Sequence, residues 1–191
     1  KNRSMKTTSI VFIIACFMAC SYAWQPNIEV GPMTINGVFD TNVNLVTFNV
    51  VAPTENWIGV GFGYNMSDAD IFTVEHDPDA SVHDRHASGH EKPVESDHWN
   101  HYDMKAEDRG DGFSEYVVRR QIQVFDQWVR SLGVDEVIPS IFASNEGEFK
   151  YHGKENKGMF QMKLDSATGQ VLFSKDDQAF QRSFKVKNFI A

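Results

Sequence analysis

The stretch Trp57-Ile58-Gly59-Val60-Gly61-Phe62-Gly63 decides the fold class of this chain. From Ile58 onward, large apolar residues alternate with glycines, a pattern typical of a β-strand with one bare face. Glycine within a strand marks a place where another backbone or a flat ligand approaches closely. The stretch lies within a strand pattern and lacks the Lys-Ser/Thr pair of a phosphate-binding loop, so it does not predict a nucleotide site.

The rest of the chain repeats the strand pattern in short segments divided by Gly, Asn and Asp turns. These segments are rich in β-branched and aromatic residues and lie at 43–51, 71–74, 115–120, 141–144 and 158–164. Many short strands of this kind predict an all-β protein, an immunoglobulin-like two-sheet β-sandwich. One segment differs, because Val124, Trp128, Val129 and Leu132 follow helical spacing and Gly133 comes next as a stop signal. We therefore expect one short helix or a turn there.

Composition restricts the class of protein. The chain has 191 residues, 41% of them hydrophobic and 23% charged, with a net charge of −8. These fractions are ordinary for a globular protein and exclude wholesale disorder. The acidic balance argues against nucleic acid as a partner, because a nucleic-acid binder needs a basic face.

The first 23 residues have the three parts of a secretory signal peptide. A basic start precedes an apolar run over 10–19, and Ser21-Tyr22-Ala23 forms a small-x-small cleavage pattern. We predict that 1–23 is removed, that the protein is secreted, and that 24–191 is a single domain without a membrane span. A membrane anchor is the alternative, although ten apolar residues are few for a bilayer core of about 30 Å. A bacterial lipoprotein with Cys20 as the lipidated residue is a second, poorer one.

Removal of this leader changes the chemistry of the chain. It takes away three positive charges and no negative ones, so the net charge falls from −8 to −11. It also removes both cysteines, Cys16 and Cys20. The mature domain then has no disulfide, no thiol nucleophile and no thiolate metal ligand.

Two features suggest metal chemistry. Six of the seven histidines lie at 76, 83, 86, 90, 98 and 101, and imidazoles at such spacing can bind zinc or copper. A solvated loop is the alternative for this tract. Met66 lies in a polar turn after the glycine-rich strand, an unusual place for a core residue. Its thioether is a soft ligand that can bind haem iron opposite a histidine, although packing under the loop is the simpler interpretation.

The glycine-rich strand, Met66 and the following Ala69-Asp70-Ile71 resemble the DOMON family. The resemblance continues at Asp84-Arg85-His86-Ala87 and at Arg119-Arg120, and it covers roughly residues 35 to 163. DOMON domains are β-sandwiches that bind haem b or sugars. The haem-binding branch is similar to the cytochrome domain of cellobiose dehydrogenase, in which a turn methionine and a histidine of a late strand hold the iron.

Carried over residue by residue, the resemblance implies that Met66 and His152 are the axial ligands of a haem b. His152 is the histidine that follows position 101. Candidates for apolar walls are Trp57, Phe62, Ile71, Phe142 and Tyr151. Lys154 or Lys157 is a candidate partner of a haem propionate because both lie close to His152 in the sequence. The haem is expected to be non-covalent, because the chain has no Cys-x-x-Cys-His motif.

Met/His ligation leaves no open iron position for oxygen, so this hypothesis predicts a b-type cytochrome that transfers single electrons rather than an enzyme. A separate redox partner, with a basic face toward this acidic chain, is then expected. A non-haem module that binds a sugar or another small ligand is the first alternative, and a zinc or copper protein built on the histidine tract is the second. Asn65-Met66-Ser67 is a glycosylation sequon, which we predict to be unused if haem is bound.

Overall fold

The structure is a computed structural model, and the part of the chain it describes comprises residues 24–67, 69–76, 79–87, 89, 91–95, 102–125, 129–150, 152 and 156–175. The predicted leader, 1–23, lies outside these residues. In the described part, no helix is long and apolar enough to cross a bilayer.

Twelve strands lie in the described residues, and all of their pairings are antiparallel. They are β1 (Asn27–Val30), β2 (Met33–Asp40), β3 (Leu45–Pro53), β4 (Asn56–Phe62), β5 (Asp70–His76), β6 (Ala80–His86), β7 (Val94–Glu95), β8 (Tyr102–Asp108), β9 (Phe113–Gln121), β10 (Ile138–Glu146), β11 (Lys157–Asp165) and β12 (Gln170–Ser174).

The strands form one continuous sheet that folds over itself. Its order is β7-β6-β5-β4-β10-β11-β12-β2-β3-β9-β8, and β1 pairs with β2. The sheet bends where β12 meets β2, which pair at a single position, Gln170 with Val38. The strands before this bend form one layer and the strands after it form the other. The predicted all-β sandwich is confirmed, and its two layers are parts of one curled sheet.

Alternating burial along the strands builds the core between the layers. In β3, Val46, Phe48, Val50 and Ala52 are buried while the residues between them are partly exposed, as a strand with one face inward requires. Phe48 stacks on Phe62 of β4 with ring centroids 5.6 Å apart, which brings the two layers into direct contact. Full burial of each such side chain contributes about 1.5–3 kcal/mol.

Of the short helix or turn expected over 124–132, a helix is not found in the described residues of that segment. Residues 124, 125 and 129–132 have no helical structure, and 126–128 lie outside the described residues. The Leu132 amide donates to the Ile122 carbonyl at 2.8 Å, and the Val124 amide donates to the Ser131 hydroxyl at 3.0 Å. The segment is thus a loop that returns on itself and buries both Ile122 and Leu132.

A buried ion pair ties the two layers together. Arg120 of β9 donates to Asp70 of β5 at 2.7 Å, and both side chains are almost fully buried. The Tyr102 hydroxyl donates to the second Asp70 oxygen at 3.0 Å, and the Arg130 backbone amide also donates to Asp70. Asp70 and Arg120 come from two sequence motifs fifty residues apart. The structure therefore joins these motifs in one internal network.

Candidate functional site

The alternation of β4 creates two different faces. One set of its side chains enters the core between the layers, and the other set faces a cavity of about 730 Å³ on the outside of the sheet. The core set is Ile58, Val60 and Phe62, and the cavity set is Trp57, Gly59 and Gly61. Such a volume lies within the range of small-molecule and cofactor pockets, roughly 300–1,000 Å³.

Two glycines of β4, Gly59 and Gly61, line the floor of the cavity. Gly61 pairs with Ile71 of β5 and Ile141 of β10, and Gly59 pairs with Thr73 of β5 in the same way. A Cβ added to Gly61 would lie 2.8 Å from Ile141 Cγ1, so those isoleucines already close over this glycine. A Cβ added to Gly59 would lie 3.5 Å from Thr73 Cγ2, an ordinary contact. Position 59 therefore has room toward the cavity, whereas position 61 has none.

One wall of the cavity is an aromatic pair. The rings of Trp57 and Phe149 meet edge to face with centroids 4.9 Å apart. The guanidinium of Arg85 lies 4.6 Å from the Phe149 centroid, and Lys92 Nζ lies 4.7 Å from it. Arg85 is held by Glu75, which accepts hydrogen bonds from it at 2.7 and 3.1 Å. Arg85 of β6, which is paired with Glu75 of β5, thus links the aromatic wall to these two strands.

Met66 and His152, which are 86 positions apart in the sequence, line the same cavity. Met66 is half-buried in the turn after β4 and packs against a small cluster of Ala69, Ile71 and Ala87. The turn is closed by Asn65, whose side-chain oxygen accepts a hydrogen bond from the Ser67 amide at 2.7 Å. His152 is half-buried in the connection between β10 and β11. A thioether and an imidazole therefore line the same cavity as Gly59 and Gly61.

Three of the other predicted site residues also line the cavity: Ile71, Phe142 and Lys157. Phe62 is fully buried in the main core, stacked on Phe48, and is not part of the cavity lining, which corrects its assignment as a cavity wall. The reason is strand alternation: Phe62 is five positions from Trp57, so the two side chains point to opposite faces. Tyr151 and Lys154 lie outside the described residues.

Several cavity residues were not among the residues predicted from sequence. The main ones are Phe149, Lys92, Lys150 and Met159. Phe149 belongs to a segment whose alternation predicts a buried face, but that pattern does not say which other strand it meets. Lys92 and Lys150 come from two connections that the fold brings to the same rim.

The described part of the histidine tract forms a hydrogen-bonded surface. His83 bonds to Glu95 at 2.8 Å and to Ser81 at 2.9 Å. The hydrogen bond with His83 lowers the pKa of Glu95. Among the described residues, no group of three His, Cys, Asp or Glu side chains is arranged to hold a metal ion. His90, His98 and His101 lie outside the described residues.

The described fold resembles solved cytochrome domains. The cytochrome domain of cellobiose dehydrogenase from Myriococcum thermophilum matches with a TM-score of 0.55 at 10% identity, covering 74% of this chain and 87% of that one. The cytochrome b domain of pyranose dehydrogenase from Coprinopsis cinerea matches with a TM-score of 0.52 at 11% identity, covering 68% and 76%. No protein-family model and no curated protein sequence matches the chain. At this identity the likeness shows the fold alone, so the chain shares the fold of these cytochrome domains.

Proposed function

We propose that the cavity binds haem b without a covalent bond, that Met66 and His152 are its axial ligands, and that the protein transfers single electrons. The observation that carries the proposal is that these two side chains line one cavity above a glycine floor. Thioether and imidazole together are a donor pair suited to haem iron. The shared fold with cytochrome domains supports the same conclusion.

Each part of the cavity has a role in this proposal. Gly59 leaves room for a macrocycle at the floor, and Trp57 with Phe149 forms a wall of the cavity. Packing of Met66 against Ala69, Ile71 and Ala87 holds its sulfur near the floor. A haem ligated on both sides supplies one-electron redox chemistry without an open position for oxygen. Tyr151 and Lys154, which flank His152 in the sequence, remain proposed as a further wall and a propionate partner.

The proposal also includes export of the protein and the charge of its redox partner. The basic, apolar and small-residue parts of 1–23 support export of a single domain, 24–191. The negative charge of that domain favours a separate redox partner with a basic face, since opposite charges steer encounter.

The sugar-binding alternative has less support from the cavity. Sugar binding commonly uses an exposed aromatic face, whereas Trp57 is only 2% exposed and its neighbour Phe149 is covered by Arg85 and Lys92. The cavity lining also includes both a soft sulfur ligand and an imidazole, a combination that sugar binding does not need.

The experiment is a haem titration followed by absorbance spectroscopy in both oxidation states. We expect one haem per chain, with sharp Soret and α bands on reduction. Met66→Leu and His152→Ala should each remove one axial ligand and broaden these bands. Met159→Leu is the matched control, because Met159 also lines the cavity but is not a proposed ligand. Absence of the bands in the unaltered protein, or identical spectra for Met66→Leu and Met159→Leu, would overturn the proposal.

A further inference from the structure

The rim of the cavity carries an excess of positive charge on an acidic protein. Lys92, Lys150 and Lys157 line it, while Glu91 is the acid that lines it among the described residues. The net charge of the whole chain is −8. A cluster of three lysines with one acid is therefore a local reversal of the protein's overall charge.

These rim lysines differ from the other cations around the cavity. Arg85 is neutralised by Glu75 at 2.7 Å, whereas no carboxylate within the described ranges lies at salt-bridge distance from Lys92, Lys150 or Lys157. Lys92 is placed by its contact with the Phe149 ring, which orients the ammonium group without cancelling its charge. The lysines thus remain available to a negatively charged ligand.

An apolar floor with a cationic rim favours one chemical class of ligand. Gly59, Gly61, Ile71 and Ile141 provide an apolar surface with room at Gly59, which suits a hydrophobic ligand body. The lysine rim suits carboxylate groups attached to one edge of that body. A neutral ligand of the same shape would make the same apolar contacts with the floor, but it would form no ion pairs with the rim lysines.

We propose that Lys92, Lys150 and Lys157 bind the carboxylates of the ligand, so that the cavity selects a flat tetrapyrrole with free propionates over its esterified, neutral form. This inference rests on the proposed haem function and deepens it, because it assigns the residues that orient the ligand's edge. The lysines set which edge of the ligand faces solvent, while Met66 and His152 act at its centre.

The test uses metal-free protoporphyrin, whose binding does not depend on axial ligands, and its dimethyl ester. Quenching of tryptophan fluorescence measures both affinities, since Trp57 lines the cavity. We expect the unaltered protein to bind the diacid about four- to twenty-five-fold more tightly than the diester, because each of the two carboxylates forms an exposed charge pair that contributes roughly two- to fivefold. This preference should shrink as the salt concentration rises.

Substitutions assign the preference to the rim. The triple variant Lys92→Gln, Lys150→Gln, Lys157→Gln should bind both forms alike, with diester affinity unchanged. Lys105→Gln is the matched control, since Lys105 is exposed on β8 away from the cavity. Glu91→Gln should strengthen diacid binding. The inference is overturned if the unaltered protein does not discriminate between diacid and diester, if it binds neither, or if the triple variant keeps the preference.

The two proposals fail in different ways. If diacid preference depends on the lysines but added haem gives no spectrum that depends on Met66, the carboxylate rim stands and the axial ligation fails. If haem gives the Met66-dependent spectrum but the triple variant binds protoporphyrin as the unaltered protein does, the haem site stands and the rim assignment is overturned.

Discussion

Charged groups lie near both faces of the layer that contains β4 and β5. Those on the core face are paired with opposite charges, whereas the lysines at the outer face have no such partner in the described part of the chain. On the core face, Asp70 is bonded to Arg120, Tyr102 and the Arg130 amide, so its negative charge is fully engaged. On the outer face, the cavity rim carries lysines without a carboxylate partner within the described residues. The paired charges of the inner network therefore stabilise the fold, whereas the rim lysines remain available to bind a ligand.

Burial explains why the inner network is sensitive to change. Desolvation raises the pKa of Tyr102 well above its usual value, so this hydroxyl stays neutral and donates to Asp70. Arg120 keeps its charge, and its pKa is raised despite burial because Tyr102 and Asp70 favour the cation. A buried ion pair contributes little net stability, because its Coulomb energy is largely offset by the cost of desolvating both charges. Loss of one member is costly, however, because it leaves the other charge buried without a partner.

The largest expected effect is therefore on the inner face. Arg120→Gln should lower the free energy of unfolding by about 3–5 kcal/mol, because it leaves Asp70 buried without its cation. Urea denaturation measures this loss. Arg119→Gln is the control, since its ion pair with Asp103 is 41% and 65% exposed and should contribute at most about 1 kcal/mol. Equal losses of unfolding free energy in the two variants would show that the buried network stabilises the fold no more than an exposed ion pair does.

A medium effect is expected from the glycine floor. Gly61→Ala places a methyl group 2.8 Å from Ile141 Cγ1 and should cost about 1–3 kcal/mol of stability through overpacking. Gly59→Ala meets only ordinary contacts and should change stability by about 1 kcal/mol or less, with a gain possible through reduced freedom of the unfolded chain. Thermal unfolding of both variants measures the two changes in stability. A greater loss for Gly59→Ala than for Gly61→Ala would contradict the geometry of the floor.

The smallest effect is the alkaline response of the inner face. The folded pKa of Tyr102 is raised, so its contribution to stability is complete below the unfolded pKa of about 10 and is lost as pH rises above that value. The loss should not exceed about 1.4 kcal/mol per pH unit for this one group. Unfolding free energies from pH 9 to 11 should fall less steeply in Tyr102→Phe than in the unaltered protein. Parallel slopes would mean that Tyr102 ionises equally in both states.

The fold class was predictable because strand alternation is a local property of the sequence. The bare face of Gly59 and Gly61 was predictable for the same reason. Alternation also conflicts with the expectation that Phe62 joins Trp57 in one wall, since five positions separate them. The apolar spacing near Val124 is compatible with a helix or a turn, and the described residues of that segment form a loop that satisfies the spacing by burying Leu132.

The rest of the site depends on contacts between distant segments. Lys92, Phe149 and Met66 lie in three different connections, and these come together only through the pairing of β4 with β5 and β10 and of β5 with β6. Residue patterns within each connection do not specify such pairings. The Met66 and His152 assignment came from resemblance to a family, and its placement on one cavity is what the structure adds.

The most direct test of the account asks whether haem enters this particular cavity. Gly59→Leu should fill the space above the floor while Gly59→Ala leaves most of it open, because the added groups point away from the core. Titration of haem into the three proteins measures bound haem per chain. We expect one haem for the unaltered protein and for Gly59→Ala, and at least about a tenfold weaker affinity for Gly59→Leu with the fold intact by circular dichroism. Equal haem binding by Gly59→Leu would show that haem does not occupy the cavity lined by Gly59.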